Sequence, residues 1–116
     1  MKENIIKIKS FNFALEVISL YKYLTSEKKE YILSKQLLRS GTSIGALVRE
    51  SEHAESKADF IHKLSIALKE ANETDYWLAL LFQSQYFTKN EYTINQNNCI
   101  ELIRLLTSII KTSKNN

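Results

Sequence analysis

The chain has 116 residues, a formal net charge of +3, 44% apolar and 25% charged residues, which is the profile of one globular domain and excludes a disordered chain. Proline is absent and glycine occurs twice, so folds that depend on many tight turns are excluded as well. Helices tolerate neither residue well, and the scarcity favours an all-α chain.

One cysteine, Cys99, allows no internal disulfide and no thiolate cluster for a metal. The opening residues MKENIIKIKSF carry lysines but no apolar run of signal-peptide length. The longest apolar run, Trp77 to Phe82, is far short of the roughly 20 residues that span a bilayer. A cytoplasmic protein without membrane association is the expectation.

Residues 1–48 hold eight Lys/Arg against four Asp/Glu, residues 49–75 four against seven, and residues 76–116 four against two. Acid is thus concentrated mid-chain and base toward the two ends.

The first predicted helix covers about 10–24. Phe11, Ala14, Leu15, Ile18 and Tyr21 step by three and four, and a second stripe through Phe13, Val17, Leu20 and Leu24 widens the apolar face. Thr25 to Leu33 is polar and reads as a connection, with room for one turn around Glu27–Tyr31. Ser34 is a candidate cap for a second helix over 34–53, in which Leu37, Gly41, Ile44 and Val48 share a face.

Ser56-x-x-Asp59 resembles a capping box and opens a third helix, predicted over 56–88. Phe60, Leu64, Ala67, Ala71, Thr74, Leu78 and Leu81 step by four and three along it. Thr93-x-x-Gln96, a second capping-box match, precedes a fourth helix over 93–112 with Cys99, Ile100, Leu102, Ile103, Leu106, Ile109 and Ile110. Short connections favour antiparallel neighbours, so the predicted architecture is an up-down-up-down four-helix bundle over residues 1–116. Both termini and the turn between helices two and three then share one end. Lysines 2, 7, 9, 111 and 114 would surround Glu50, Glu52, Glu55 and Asp59 there.

Two glycines inside a helix cost about 1 kcal/mol each against alanine, so Gly41 and Gly45 point to the close approach of another backbone. Residues 76–82 are apolar all around the helix. Tyr76, Trp77 and Leu80 lie off the seam of Leu78 and Leu81 and are candidates for an oligomer interface.

Glu50-x-x-His53 and Asp59-x-x-His62 match the Glu-x-x-His spacing of di-iron bundles. On a helical projection Glu50 and His62 point away from the core, and only Glu16 and Glu101 could supply further carboxylates. A metal-dependent enzyme is therefore the remote reading. No metal, cofactor or catalytic residue is assigned, and Cys99 reads as a small core residue. Lys28, Lys29, Lys35, Arg39, Arg104 and Lys111 are candidate nucleic-acid contacts if an oligomer repeats their patches.

The stretch from Leu33 through Leu81 carries a longer pattern: Gln36-Leu37-Leu38-Arg39-Ser40, Thr42-Ser43-Ile44-Gly45, Glu50, then Ser56-Lys57-Ala58-Asp59-Phe60-Ile61 and Leu64-Ser65-Ile66-Ala67. Glu70-Ala71-x-Glu73-Thr74-x-Tyr76-Trp77-Leu78 completes it. This pattern resembles the bacterial four-helix bundle family named for proteins encoded in intervening sequences of large-subunit ribosomal RNA genes. The resemblance implies a homopentamer without catalytic activity or cofactor. It also implies kinship with the accessory variability determinant of diversity-generating retroelements, which binds nucleic acid and a reverse transcriptase. Arg39, Ser40, Ser43 and Glu50 stand at family-typical positions, whereas Leu47 and Val48 occupy the region of a usual asparagine. The expected function is a homo-oligomeric, non-enzymatic adaptor binding RNA or an RNA-associated protein, the alternative a protein-partner or purely structural module.

Overall fold

The computed structural model describes the backbone of residues 2–116 and the side chains from Ile5 onward. Four α-helices follow in order: α1 (Lys2–Ser26), α2 (Leu33–Ser51), α3 (Lys57–Gln83) and α4 (Lys89–Asn115), with no strand among the described residues. Each helix packs on its two ring neighbours, α1 on α2, α2 on α3, α3 on α4 and α4 on α1. The result is an all-α up-down-up-down four-helix bundle of 46 × 21 × 19 Å.

The core follows the predicted stripes in three helices. Leu37, Gly41, Ile44 and Val48 are buried on α2, and Leu64, Ala67, Ala71, Thr74, Leu78 and Leu81 on α3, with Phe60 partly covered. On α4, Cys99, Leu102, Leu106, Ile109 and Ile110 are buried. In α1 the stripe through Phe13, Val17 and Leu24 is the buried one, extended by Ile6 and Ser10. The companion stripe is not core. Phe11 and Leu15 stand about half exposed, because a corner helix of a four-helix bundle has only one face to bury.

Helix boundaries move where side-chain caps override local pattern. α1 begins at Lys2 rather than Ser10, since Ile6 and Ser10 continue its buried face toward the N-terminus. Ser34 does not cap α2, which ends at Ser51 rather than His53; the free amides of its first turn go to Glu30. Ser56 does cap α3, accepting from the Asp59 amide at 3.0 Å, while the Asp59 carboxylate turns back to the Glu55 amide.

α3 stops at Gln83, five residues short of the expected end. There the Gln85 amide donates to the Phe82 carbonyl and the Tyr86 amide to the Leu81 carbonyl, a Schellman closure that places Gln85 at φ 70°. Phe87 then turns into the core. Thr88 and Glu91 form the capping box of α4, Thr88 Oγ1 accepting from the Glu91 amide at 3.1 Å and Glu91 Oε1 from the Thr88 amide at 2.8 Å. The expected box at Thr93 and Gln96 lies inside the helix, where the Gln96 side chain instead donates to the Tyr92 hydroxyl.

The α1–α2 seam depends on small residues. A Cβ on Gly41 would come within 2.7 Å of Val17 Cγ2, and one on Gly45 within 3.3 Å of the Ser10 carbonyl oxygen. The close backbone is therefore that of α1 in the same chain.

Candidate functional site

Within the long sequence pattern from Leu33 to Leu81, Arg39, Glu70, Glu73 and Trp77 form a network across α2 and α3. Arg39 Nη1 meets Glu70 Oε1 at 3.1 Å, and Nη2 is bonded to Glu73. Glu73 also accepts from Trp77 Nε1 at 2.9 Å. Beneath this layer Ser40 and Thr74, both fully buried, place their hydroxyl oxygens 2.9 Å apart. Ser43 donates to the Arg39 carbonyl at 2.6 Å. About two turns beyond Ser43 on α2, Glu50 pairs with Lys63 at 3.4 Å.

These bonds set the electrostatics of the face. The Trp77 indole and the Arg39 guanidinium together hold the Glu73 carboxyl below the usual carboxylate value. The Glu73 hydrogen bond, with the Glu70 charge beside it, holds Arg39 above its usual value. Arg39, half exposed, is thus paired with two carboxylates of its own chain.

The remaining candidate cations do not converge. Lys28 and Lys29 lie in the α1–α2 connection and Lys35 in the first turn of α2, all exposed at one end of the bundle. Lys28 Nζ sits 5.8 Å from the centre of the Tyr23 ring. Tyr31 and Ile32 stand exposed beside them. Arg104 and Lys111 are exposed on α4 toward the opposite end.

At that opposite end, which holds the termini and the α2–α3 turn, the expected acid–base neutralisation is partly drawn. Lys7 pairs with Glu52 at 3.1 Å, but Lys9 reaches Glu101 on α4 at 3.1 Å and Glu50 takes Lys63. The Lys2 side chain lies outside the described residues.

The two Glu/Asp-x-x-His pairs are engaged elsewhere or dispersed. Glu50 is bound to Lys63, Asp59 caps Glu55, and His53 and His62 are exposed. Among the described residues, no three His, Cys, Asp or Glu side chains gather where one ion could bind. Cys99 is buried with its thiol toward the Ala71 carbonyl at 3.2 Å. Burial, with the nearby Asp75 carboxylate adding to it, pushes that thiol up to about 12. The Asp75 Oδ1 oxygen is itself buried without a hydrogen-bond partner among the described residues.

The apolar surface also differs from expectation. Trp77 and Leu80 are partly buried, and Trp77 packs against the core while Tyr76 alone of the three is exposed. Tyr76 meets Trp77 edge-on at 5.1 Å. The larger uncovered strip lies on α1: Ile8 (61% exposed), Phe11 and Leu15 on one line, with Ile5 near them. Beside it a groove of about 310 Å³ runs between α1 and α2, lined by Phe11, Ala14, Ile18, Gly45, Ala46 and Arg49. Phe11 and Leu15 belong to the first of the two α1 stripes read in the sequence, whereas Ile8 lies before the helix start predicted there.

A family model described as "23S rRNA-intervening sequence protein" matches residues 2–108. The chain belongs to that family. The intervening-sequence fold is also seen in a solved structure from Bacteroides thetaiotaomicron VPI-5482, described as a protein with unknown function from the S23 ribosomal protein family. It is 57% identical, covers 96% of this chain and 99% of its own, and superposes with a TM-score of 0.95. No curated protein matches the chain. In this intervening-sequence protein, no helix among the described residues is long and apolar enough to cross a membrane.

Proposed function

We propose that this intervening-sequence protein is a non-enzymatic, homo-oligomeric adaptor, pentameric by the family resemblance, that binds RNA or an RNA-associated protein in the cytoplasm. The observation that carries the reading is the uncovered strip of Ile8, Phe11 and Leu15 on α1. Scattered surface hydrophobes are ordinary, but a contiguous strip beside an apolar groove is the mark of an interaction surface.

The nucleic-acid half is supported by Lys28, Lys29 and Lys35, which share one end of the bundle and make no ion pair among the described residues. A ring would repeat that cluster around its rim, multiplying a modest charge into a basic surface. The family description, which names 23S rRNA intervening sequences, agrees with an RNA setting.

Mass in solution tests the assembly: a monomer at micromolar concentration overturns it. Fluorescence anisotropy with a labelled structured RNA tests the ligand. Affinity is expected to fall as salt rises and to weaken when Lys28, Lys29 and Lys35 are replaced together by glutamate. An oligomer with no RNA affinity at low salt would leave the protein-partner module as the correct reading.

A further inference from the structure

We propose that the α1–α2 connection seats an unpaired RNA base. The base stacks on Tyr31, and Lys28, Lys29 and Lys35 hold the phosphates around it. This rests on the RNA-binding reading above and names the form of RNA that fits this end of the bundle.

The seat is a turn held on both sides. Lys29 takes left-handed backbone at φ 55°, and the Glu30 amide donates to the Leu24 carbonyl at 2.9 Å. Glu30 is buried, with its carboxylate on the amides of Ile32, Leu33 and Ser34. Ser34 beyond it is fully buried. Tyr31 and Ile32 thus stand between two anchored residues, yet they are 53% and 75% exposed. A ring presented from a held backbone meets a partner at low cost in ordering, which distinguishes this pair from a fraying loop.

The surroundings are basic. The α3–α4 connection shares this end, so residues 22–36 and 80–92 make it up. They hold Lys22, Lys28, Lys29, Lys35 and Lys89 against Glu27, Glu30 and Glu91. Glu30 and Glu91 are turned onto backbone amides. None of the five lysines has an ion pair among the described residues, whereas Lys7 and Lys63 at the opposite end are held by Glu52 and Glu50. Lys28 Nζ lies over the Tyr23 ring, 5.8 Å from its centre.

Lysines meet phosphate as flexible point charges and read no sequence. Tyr31 adds a requirement that a duplex does not meet. Paired bases are stacked on both faces inside an A-form helix, whereas a single strand or loop offers a free face. An exposed tyrosine among unpaired lysines is therefore matched to unpaired bases, with Ile32 adding apolar surface beside it.

The probe is a short fluorescent oligoadenylate, compared by anisotropy with an adenine–uracil RNA duplex of equal length. The wild type is expected to prefer the single strand. Tyr31→Ala should weaken that affinity roughly fivefold to a hundredfold and leave duplex affinity alone, while Tyr31→Phe keeps the stack and the affinity. Salt separates stacking from phosphate contact. Tyr31→Ala should preserve the slope of log affinity against log salt, and Lys29→Gln or Lys35→Gln should each flatten it by about 0.7. Circular dichroism is expected to be unchanged in all four variants, since each side chain is exposed. Wild-type affinity in Tyr31→Ala, or equal affinity for strand and duplex, overturns the stacking seat while the RNA reading stands. Tyr31-dependent co-sedimentation with phosphatidylserine vesicles, without preference for the single strand, assigns the tip to a lipid surface and overturns the seat as well. No affinity for either RNA at low salt overturns both.

Discussion

Glu30 and Ser34 hold each other twice at the start of α2. The Ser34 amide donates to Glu30 Oε1 at 2.7 Å, and the Ser34 hydroxyl donates to the Glu30 carbonyl at 2.9 Å. The other carboxylate oxygen takes the Ile32 amide at 3.1 Å and the Leu33 amide at 2.9 Å. Three free donors of a helix start are thereby satisfied by one buried side chain.

Removing that cap is expected to cost about 1–2 kcal/mol in Glu30→Ala, read from urea denaturation. Burial raises the Glu30 carboxyl, but the amides of Leu33, Ser34 and Ile32 outweigh it and hold it below its usual value. A depressed carboxyl contributes stability that is complete above its unfolded pKa and fades as pH falls through the folded one. The wild type should therefore lose stability as pH drops from about 5 toward 3, and Glu30→Gln should show a shallower loss over that range. Equal slopes in the two proteins would contradict this account.

The α1–α2 seam makes a paired prediction. Gly41→Ala drives a methyl to 2.7 Å from Val17 Cγ2, and overpacking of a buried site costs about 1–3 kcal/mol, more than alanine's helix propensity returns. Val17→Ala leaves a cavity of its own, yet removes the clashing methyl groups. The double variant should thus be more stable than the sum of the two single losses, as measured by a double-mutant cycle. Strict additivity would mean that the seam opens freely.

Arg39 is half exposed, so its two bridges are screened and worth little individually. Arg39→Ala is expected to cost about 1 kcal/mol or less in thermal unfolding. Its distinctive readout is Trp77, whose indole shares Glu73 with Arg39. Tryptophan emission should shift in Arg39→Ala and Glu73→Gln but not in Lys35→Ala, which touches neither.

Gln85 occupies left-handed backbone at φ 70° without being glycine. Gln85→Gly should raise stability by about 0.5–1 kcal/mol, because the Schellman position favours glycine by more than the unfolded chain's added freedom costs. Lys69→Gly instead, in the middle of α3, should lower it.

Cys99 is fully buried with its thiol raised to about 12, so a thiol reagent should react only as the bundle opens. Labelling at pH 8 is expected to be slow in buffer and to accelerate with urea in step with unfolding. Fast labelling of the folded protein would place the thiol at the surface.

Several features were legible from residues alone. The heptad stripes of α2, α3 and α4 named their buried side chains, since burial on one side of a helix imposes its period on the sequence whatever the neighbour is. Scarce glycine and proline declared an all-helical chain, and the Leu33-to-Leu81 pattern declared the family. The ends of the helices were less legible. Glu30 and the Thr88–Glu91 box satisfy amides whose need exists only once the chain has turned, and Gln85 carries a left-handed turn that no glycine advertises.

What only tertiary structure decided was which of two apolar stripes on α1 found a partner. By period alone Phe11, Leu15 and Ile18 are as good as Phe13, Val17 and Leu24. Two neighbouring helices cover one side of a corner helix, and close approach at Gly41 and Gly45 selected the Val17 side. That contact left the uncovered apolar surface on α1, while the packing of α2 on α3 directed Arg39 to Glu70 and Glu73, because the fate of a side chain follows from what is packed against it.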